Sequence, residues 1–195
     1  MARELERSVV GLVREILSGE PAAMPEWLVR PGKIECGDRW PLVQELYGDL
    51  SGGLELPEVM RLVEWRTLDA ILQVPGEPPR ILEFDETQHF NSYRARALRI
   101  YARAVPLAFP SGIWIERSER KAKLERGGFG EPKPPLFPGE GGRHRQRAFR
   151  DALCDLLPPD HGFLPTLRIA DFEVEAWLHA ADARAQMTDL LRGRL

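Results

Sequence analysis

Cysteine is scarce in this sequence, and histidine is not much more common. The 195 residues include two cysteines, Cys36 and Cys154, and four histidines. Two isolated cysteines give neither a disulfide framework nor a zinc site, which indicates a reducing compartment, most simply the cytoplasm. The histidines lie far apart without a paired motif, and this argues against a mononuclear zinc hydrolase.

Long apolar runs and an excess of positive charge are also missing. Charged residues interrupt the apolar positions of residues 1–20, so this segment is neither a signal sequence nor a membrane span, and no membrane partner is expected. The net charge is −3, so any nucleic-acid-binding surface must be a local one. The glycines match neither a dinucleotide-binding fingerprint nor a phosphate-binding loop.

What the chain does contain fits one domain, residues 1–195, with 43% hydrophobic residues to form a sizeable core. Apolar spacing predicts helices over about residues 5–18, 41–50, 92–103, 113–123 and 145–157, and a last helix from Asp171 toward Leu191. Residues 166–170 are a candidate short strand. Glycine and proline dominate residues 127–142, which predicts a long surface loop with basic residues at both ends.

The most informative stretch is residues 79–90, Pro-Arg-Ile-Leu-Glu-Phe-Asp-Glu-Thr-Gln-His-Phe, in which an apolar strand ends in polar side chains. Residues 63–72 are predicted to form the strand before it, joined by a turn that proline and glycine enforce. Side chains alternate between the faces of a strand, so Asp69 and Glu83 can meet on one face of this hairpin. The hairpin therefore predicts an acidic cation site.

This arrangement resembles the PD-(D/E)XK nuclease superfamily, and most closely its branch related to very-short-patch-repair endonucleases. That branch has a strand of the form apolar-apolar-Glu-x-Asp-Gly-x-x-His-aromatic, then an arginine-containing helix, then another strand. Here residues 81–90 correspond to the strand, 92–103 to the helix and 104–109 to the next strand, so the resemblance covers about residues 60–110. It implies an α/β, restriction-endonuclease-like fold with a central mixed β-sheet flanked by helices.

The sequence departs from that pattern at two positions. Asp85 stands where most of the superfamily has lysine, two residues after Glu83, although aspartate is usual in the closer branch. Glu86 replaces the usual glycine and adds negative charge. These differences leave open a second interpretation, a catalytically inactive nuclease fold that binds nucleic acid or protein. A third, a partner-binding adaptor, rests only on the apolar pair Trp177 and Leu178.

The resemblance implies a metal-dependent nuclease that hydrolyses phosphodiester bonds, with DNA as the expected partner. Asp69, Glu83 and the backbone carbonyl of Phe84 would bind Mg²⁺ or Mn²⁺, which are hard cations that prefer oxygen ligands. The cation would polarise the phosphate and activate water.

The same resemblance gives roles to the polar residues that follow Glu83. Asp85 would complete the metal shell or orient water, and Gln88 would position water or a phosphate oxygen. His89 would act as a general base or donate to the phosphate. Glu45, on a helix before the hairpin, is the candidate for an additional acid, although a solvated glutamate is the commoner identity.

Arginines on the predicted helix 92–103 form the candidate nucleic-acid-binding surface. They recur at spacings that place them mostly outward and have few acidic neighbours; they are Arg94, Arg96, Arg99 and Arg103. Guanidinium groups match phosphate oxygens without reading base sequence. The alternative is a solvated helix face with ordinary ion pairs.

Overall fold

The computed structural model describes residues 2–62, 64, 67–120 and 130–195. The helices in these ranges are α1 (Ala2–Leu17), α2 (Glu26–Val29), α3 (Lys33–Cys36), α4 (Trp40–Ser51), α5 (Ser92–Tyr101), α6 (Ser111–Arg120), α7 (Gly142–Leu156), α8 (Asp171–Val174) and α9 (Ala183–Arg192). The strands are β1 (Glu20–Pro21), β2 (Ala70–Gln73), β3 (Arg80–Asp85) and β4 (Leu164–Ala170). Among the described helices, none combines the length and the apolar character needed to cross a bilayer.

The four strands form one mixed sheet in the order β1, β2, β3, β4. β2 pairs antiparallel with both β1 and β3, whereas β4 runs parallel to β3. The chain covers the distance between the two parallel strands through α5, α6 and α7, as a parallel pairing requires. The expected α/β class with a mixed sheet flanked by helices is therefore confirmed.

Alternation along the hairpin divides the interior into two cores. Ile71 and Ile81 pack on one face of the sheet with apolar side chains of α4 to α7. Leu72 and Leu82 pack on the other face with side chains of α1 and α9. Because side chains two apart share a face, Glu83 lies on the Ile81 side, toward α5 and α7.

Two strand predictions were too long. The predicted strand 63–72 begins only at Ala70, and residues 67–69 before it are irregular; residues 63, 65 and 66 lie outside the described part. The predicted strand 104–109 is reduced to a single bridge between Ala108 and Leu167. Pro106, which has no N–H to donate to a ladder, lies inside that segment.

Two helix predictions need correction as well. α5 ends at Tyr101 instead of continuing to Arg103. The predicted last helix from Asp171 to Leu191 is interrupted by turns between α8 and α9. Both helices contribute to the second core, since Val174 in α8 and Leu191 in α9 are both buried there.

The glycine- and proline-rich segment holds the start of α7. Lys133 and Phe137 exchange two backbone hydrogen bonds, and Phe137 is fully buried. A Cβ atom at Gly142 would lie 2.4 Å from the Phe137 carbonyl oxygen and 2.6 Å from the Lys133 nitrogen. Only glycine fits there, so α7 begins in direct backbone contact with the loop.

Candidate functional site

Asp69 and Glu83 meet at one end of the β2–β3 hairpin. The register that pairs Ala70 with Leu82 places them opposite each other. The Asp69 N–H faces Glu83 Oε1 at 3.4 Å, and Asp69 Oδ2 accepts a hydrogen bond from the Phe84 N–H at 2.7 Å. Two carboxylates from adjacent chain segments thus occupy one location.

Burial and neighbouring charges alter how both acids titrate. Burial raises the pKa of Glu83 well above its usual range, and the negative charge of Asp69 raises it further. Asp69 is exposed as a residue, yet desolvation of its carboxylate raises its pKa, and this outweighs the hydrogen bond from Phe84. A divalent cation would relieve the repulsion between them, because opposite charge favours the ionised form.

A polar cleft of about 220 Å³ opens between this hairpin end and α7. Acidic groups and a histidine line it together with three arginines; these residues are Asp69, Glu83, His89, Asp151, Arg143, Arg147 and Arg150. The arginines recur at i, i+4 and i+7 along α7, which places them on one face of the helix. We call these three residues the arginine row.

Arg147 is the central member of the arginine row. Burial lowers the pKa of its guanidinium, which nevertheless stays cationic because arginine titrates far above neutrality. Within the described part of the chain, its Nη1 atom is buried without a hydrogen-bond partner. Arg150, in contrast, forms an ion pair with Glu64 at 3.2 Å. The row therefore brings three guanidinium groups to the cleft, and guanidinium groups bind oxyanions well.

His89 reaches the cleft from the short 3₁₀ turn Thr87–His89 after β3. Its Nδ1 lies 3.1 Å from Asp151 Oδ2 and 3.3 Å from Asp85 Oδ1. With two carboxylate oxygens this close, Nδ1 carries a proton and Nε2 is left to face other groups. The three residues also lie close enough to hold a metal ion, since one ligand atom of each lies within 4.8 Å of the others.

Asp85 is completely buried and does not line the cleft. Its Oδ1 accepts from Arg168 Nη1 at 2.7 Å, and its Oδ2 accepts from Trp114 Nε1 at 2.6 Å. Arg168 projects from β4, where it lies beside Glu83 in the parallel register. Asp85 thus contacts His89 from within the core, and both of its carboxylate oxygens accept hydrogen bonds from the protein.

A buried ion network continues from Arg168 under the site. Arg168 Nε donates to Asp155 at 2.7 Å, and Arg94 Nη2 donates to the same carboxylate at 3.0 Å. Burial alone would lower the pKa of Arg168, but Asp155, Asp85 and Asp151 together raise it well above its usual range. This guanidinium is permanently charged and balances the carboxylates that surround it.

Asp151 belongs to both the cleft and the network. Burial opposes its ionisation, but the charges of His89, Arg168 and Arg94 outweigh burial and lower its pKa. Asp151 is therefore an anion at any ordinary pH, which suits a group that holds the Nδ1 proton of His89.

The structure brings together only some of the residues predicted from the sequence. Asp69, Glu83 and His89 line one cleft, whereas Asp85 lies beneath it. Phe84 adjoins the pair through its N–H, and its side chain is buried in the second core.

Two further candidates lie away from the cleft lining. Gln88 donates its amide to the Glu86 carboxylate, and the described lining of the cleft does not include it. Glu45 is exposed on α4, and it too is absent from that lining.

Three of the four arginines predicted as a basic surface, Arg96, Arg99 and Arg103, are exposed. Arg94 is fully buried, contrary to expectation, and donates to the Tyr101 hydroxyl at 2.7 Å. Arg96 forms an ion pair with Asp49, and Arg99 forms one with Glu119. Arg103 is exposed in the turn after α5. The arginines that face the acidic pair come from α7 instead.

Sequence reasoning did not identify Asp151, which lines the cleft, or Glu6, whose titration responds to Asp69; Arg147 entered only as part of a basic flank of the loop. Glu6 lies on α1, and burial followed by the charges of Asp69 and Glu86 raises its pKa. A third acid therefore lies near the hairpin, from an earlier helix than the one expected. The basic cluster at residues 143–147 was a usable signal for Arg147, whereas nothing in the local pattern identifies Asp151.

Comparisons with known proteins add no relative. No protein-family model matches the chain, and neither the curated proteins nor the solved structures that were searched contain a match.

Proposed function

We propose that the protein is a metal-dependent nuclease of restriction-endonuclease-like architecture that hydrolyses phosphodiester bonds in DNA. The observation that carries this proposal is the position of the Asp69 and Glu83 carboxylates across one cleft from the arginine row. Paired carboxylates attract a hard divalent cation, and guanidinium groups attract phosphate. A phosphodiester in the cleft would meet both.

Asp69 and Glu83 would hold Mg²⁺ or Mn²⁺, with the Phe84 carbonyl as a further ligand. The donor set fits, since it consists of oxygens, and two carboxylates with raised pKa values gain most from a cation. When bound, such a cation supplies Lewis-acid polarisation of the phosphate and a more acidic water.

The protein's own side chains would position the phosphate and transfer protons. Arg147 would hold a non-bridging phosphate oxygen with the guanidinium that lines the cleft. Asp151 and Asp85 fix the His89 ring through Nδ1, so that Nε2 would accept a proton from water or donate one to a phosphate oxygen.

The Asp85–His89–Asp151 group is the second location at which a cation could sit. Asp69 and Glu83 are the better cation ligands on electrostatic grounds. Arg168 already pairs with Asp85 at 2.7 Å and lies 3.6 Å from Asp151. Among the described residues, Asp69 and Glu83 form no ion pair, so their charge is available to a metal.

A cleavage assay tests the proposal. Supercoiled plasmid and circular single-stranded DNA are incubated with Mn²⁺ or with EDTA, using wild type, Glu83→Gln and the surface control Glu45→Gln. Wild type and the control should cut only with Mn²⁺, and Glu83→Gln should be slower by about 100-fold or more, the usual scale for a group acting in the transition state. Equal cutting by all three would assign the activity to a contaminant or to another site.

A catalytically inactive nucleic-acid-binding module is the second candidate. It is favoured by Asp85, which occupies the position of the usual lysine and has both oxygens bound within the protein. In that case no variant would cut, while wild type would still retard DNA on a gel.

A further inference from the structure

A second depression adjoins the cleft at Asp69. It is larger, about 530 Å³, and falls in the range of about 300–1,000 Å³ that is typical of small-molecule sites. Residues 67–69 line both depressions, so the two lie next to each other at this segment. We call the second one the apolar groove.

The walls of the apolar groove are mostly hydrocarbon. They come from α1, from the connector after β1, from α2 and from the start of β2, and include Val10, Met24, Val29, Leu68 and Ile71. Arg14 and Asp69 are the charged side chains in its described lining. Such a surface suits a flat, largely apolar group that carries some hydrogen-bond acceptors, with the Arg14 guanidinium as a donor.

A nucleobase is such a flat, largely apolar group with hydrogen-bond acceptors. Its position relative to the phosphate decides whether it can enter the apolar groove. A phosphodiester held at Asp69 and Glu83 has a nucleoside on each side, and the groove begins at Asp69. In a duplex the bases are stacked and paired inside the helix, away from a protein that contacts the backbone. A base enters a side groove only when it is unpaired or has been swung out of the stack.

We propose that the apolar groove binds the nucleobase next to the scissile phosphate, and that the preferred substrate therefore carries an unpaired nucleotide at that point. This inference rests on the proposed function, because it takes the phosphate to lie in the cleft. It commits the groove to a base of the substrate strand and not to a peptide or a second copy of the chain.

Binding measurements with matched oligonucleotides test this inference. The probes are a fluorescent 12-mer of thymidine, a 12-mer with the same phosphates but abasic sugars, and a 12-base-pair duplex, each titrated with wild type in Ca²⁺. The thymidine strand should bind about tenfold or more tighter than the abasic strand, since contacts to single bases are of that size. It should also bind tighter than the duplex. Equal affinity for the thymidine and abasic strands would overturn the inference.

Two substitutions of alanine by phenylalanine test whether the difference in affinity comes from the groove. Ala22 lines the groove and Ala23 does not, although both are exposed neighbours in the same connector. Ala22→Phe should bind the thymidine strand only as well as the abasic one, whereas Ala23→Phe should behave as wild type. Equal losses in both variants would contradict a base site in the groove. The comparison of probes on wild type needs no variant, so it holds even if Ala22→Phe folds poorly.

The proposed function is tested separately by the dependence of abasic-strand binding on Arg147 and on the cation. Equal affinity for thymidine and abasic strands, with Arg147→Ala still weakening both, removes the base site and keeps the phosphate cleft. If Arg147→Ala binds both strands as tightly as wild type does, and Mn²⁺ does not change the binding, the phosphate cleft is ruled out and the base site with it.

Discussion

The Asp69 carboxylate accepts a hydrogen bond from the backbone N–H of Phe84, the residue after Glu83, and the Asp69 N–H faces the Glu83 carboxylate. The two acids are therefore fixed to each other by the hairpin backbone and do not depend on flexible side-chain contacts. This reciprocal arrangement keeps two negative charges together, which costs stability when no cation is present.

Glu83→Gln should stabilise the protein in the absence of divalent cations and remove its response to them. The substitution keeps the shape of the side chain and removes a buried charge next to Asp69. Each kcal/mol gained should raise the melting temperature by about 2–4 °C in a chain of this size. Thermal melts with EDTA and with Mn²⁺ measure both effects.

Glu45→Gln is the matched control, because Glu45 is exposed on α4. It should keep the rise in melting temperature that Mn²⁺ causes in wild type by mass action. The same rise in Glu83→Gln would show that the cation binds elsewhere, for which the Asp85–His89–Asp151 group is the first place to look.

The stability of the cation-free protein should fall as pH rises. The pKa of Glu83 is raised above 4.5 in the folded state, so between that value and the folded pKa the folded protein holds a proton that the unfolded chain has released. The free energy of unfolding therefore decreases with pH through this window. Urea unfolding of wild type and Glu83→Gln from about pH 5 to about pH 8 checks the sign, and a pH-independent difference between them would contradict it.

Arg147→Ala should weaken DNA binding uniformly across sequences. Loss of one phosphate contact should also reduce the slope of log affinity against log salt by about 0.9. Fluorescence anisotropy at several salt concentrations measures both quantities. Arg120→Ala is the control, since Arg120 is exposed on α6 and pairs with Glu116; an equal loss in that variant would indicate nonspecific attraction only.

Arg168→Met should destabilise the fold strongly. It would leave Asp85 and Asp155 buried without their shared cation, and removal of one partner from a buried ion network typically costs about 3–5 kcal/mol. Chemical denaturation gives the free energy of unfolding directly. Arg192→Met removes an exposed i, i+3 ion pair with Asp189 and should change it by less than about 1 kcal/mol.

The hairpin could be predicted from the sequence because its signals are local. Alternation, a turn of prolines and glycine, and the position of two acids relative to the apolar residues are enough to place Asp69 beside Glu83. The class of fold followed from the same pattern, together with helices of clear apolar spacing. The architecture beyond a mixed sheet flanked by helices remains a proposal.

The other half of the site depends on contacts between distant segments. Arg94 shares a helix face with Leu98 and Tyr101, a pattern that was present in the sequence but could not reveal a buried partner. That partner, Asp155, lies 61 positions later in the chain. Burial of an arginine requires such a partner, and single-sequence periodicity does not supply it.

The contact of Gly142 with the preceding loop also fixes where the helix that carries the arginine row begins. Backbone hydrogen bonds from Gly141 to Gly130 and from Arg143 to Glu131 tie the helix start to residues 130–137. The three arginines follow on the same helix, so their positions along its axis depend on this anchored start. A single methyl group at position 142 would displace all three guanidinium groups at once.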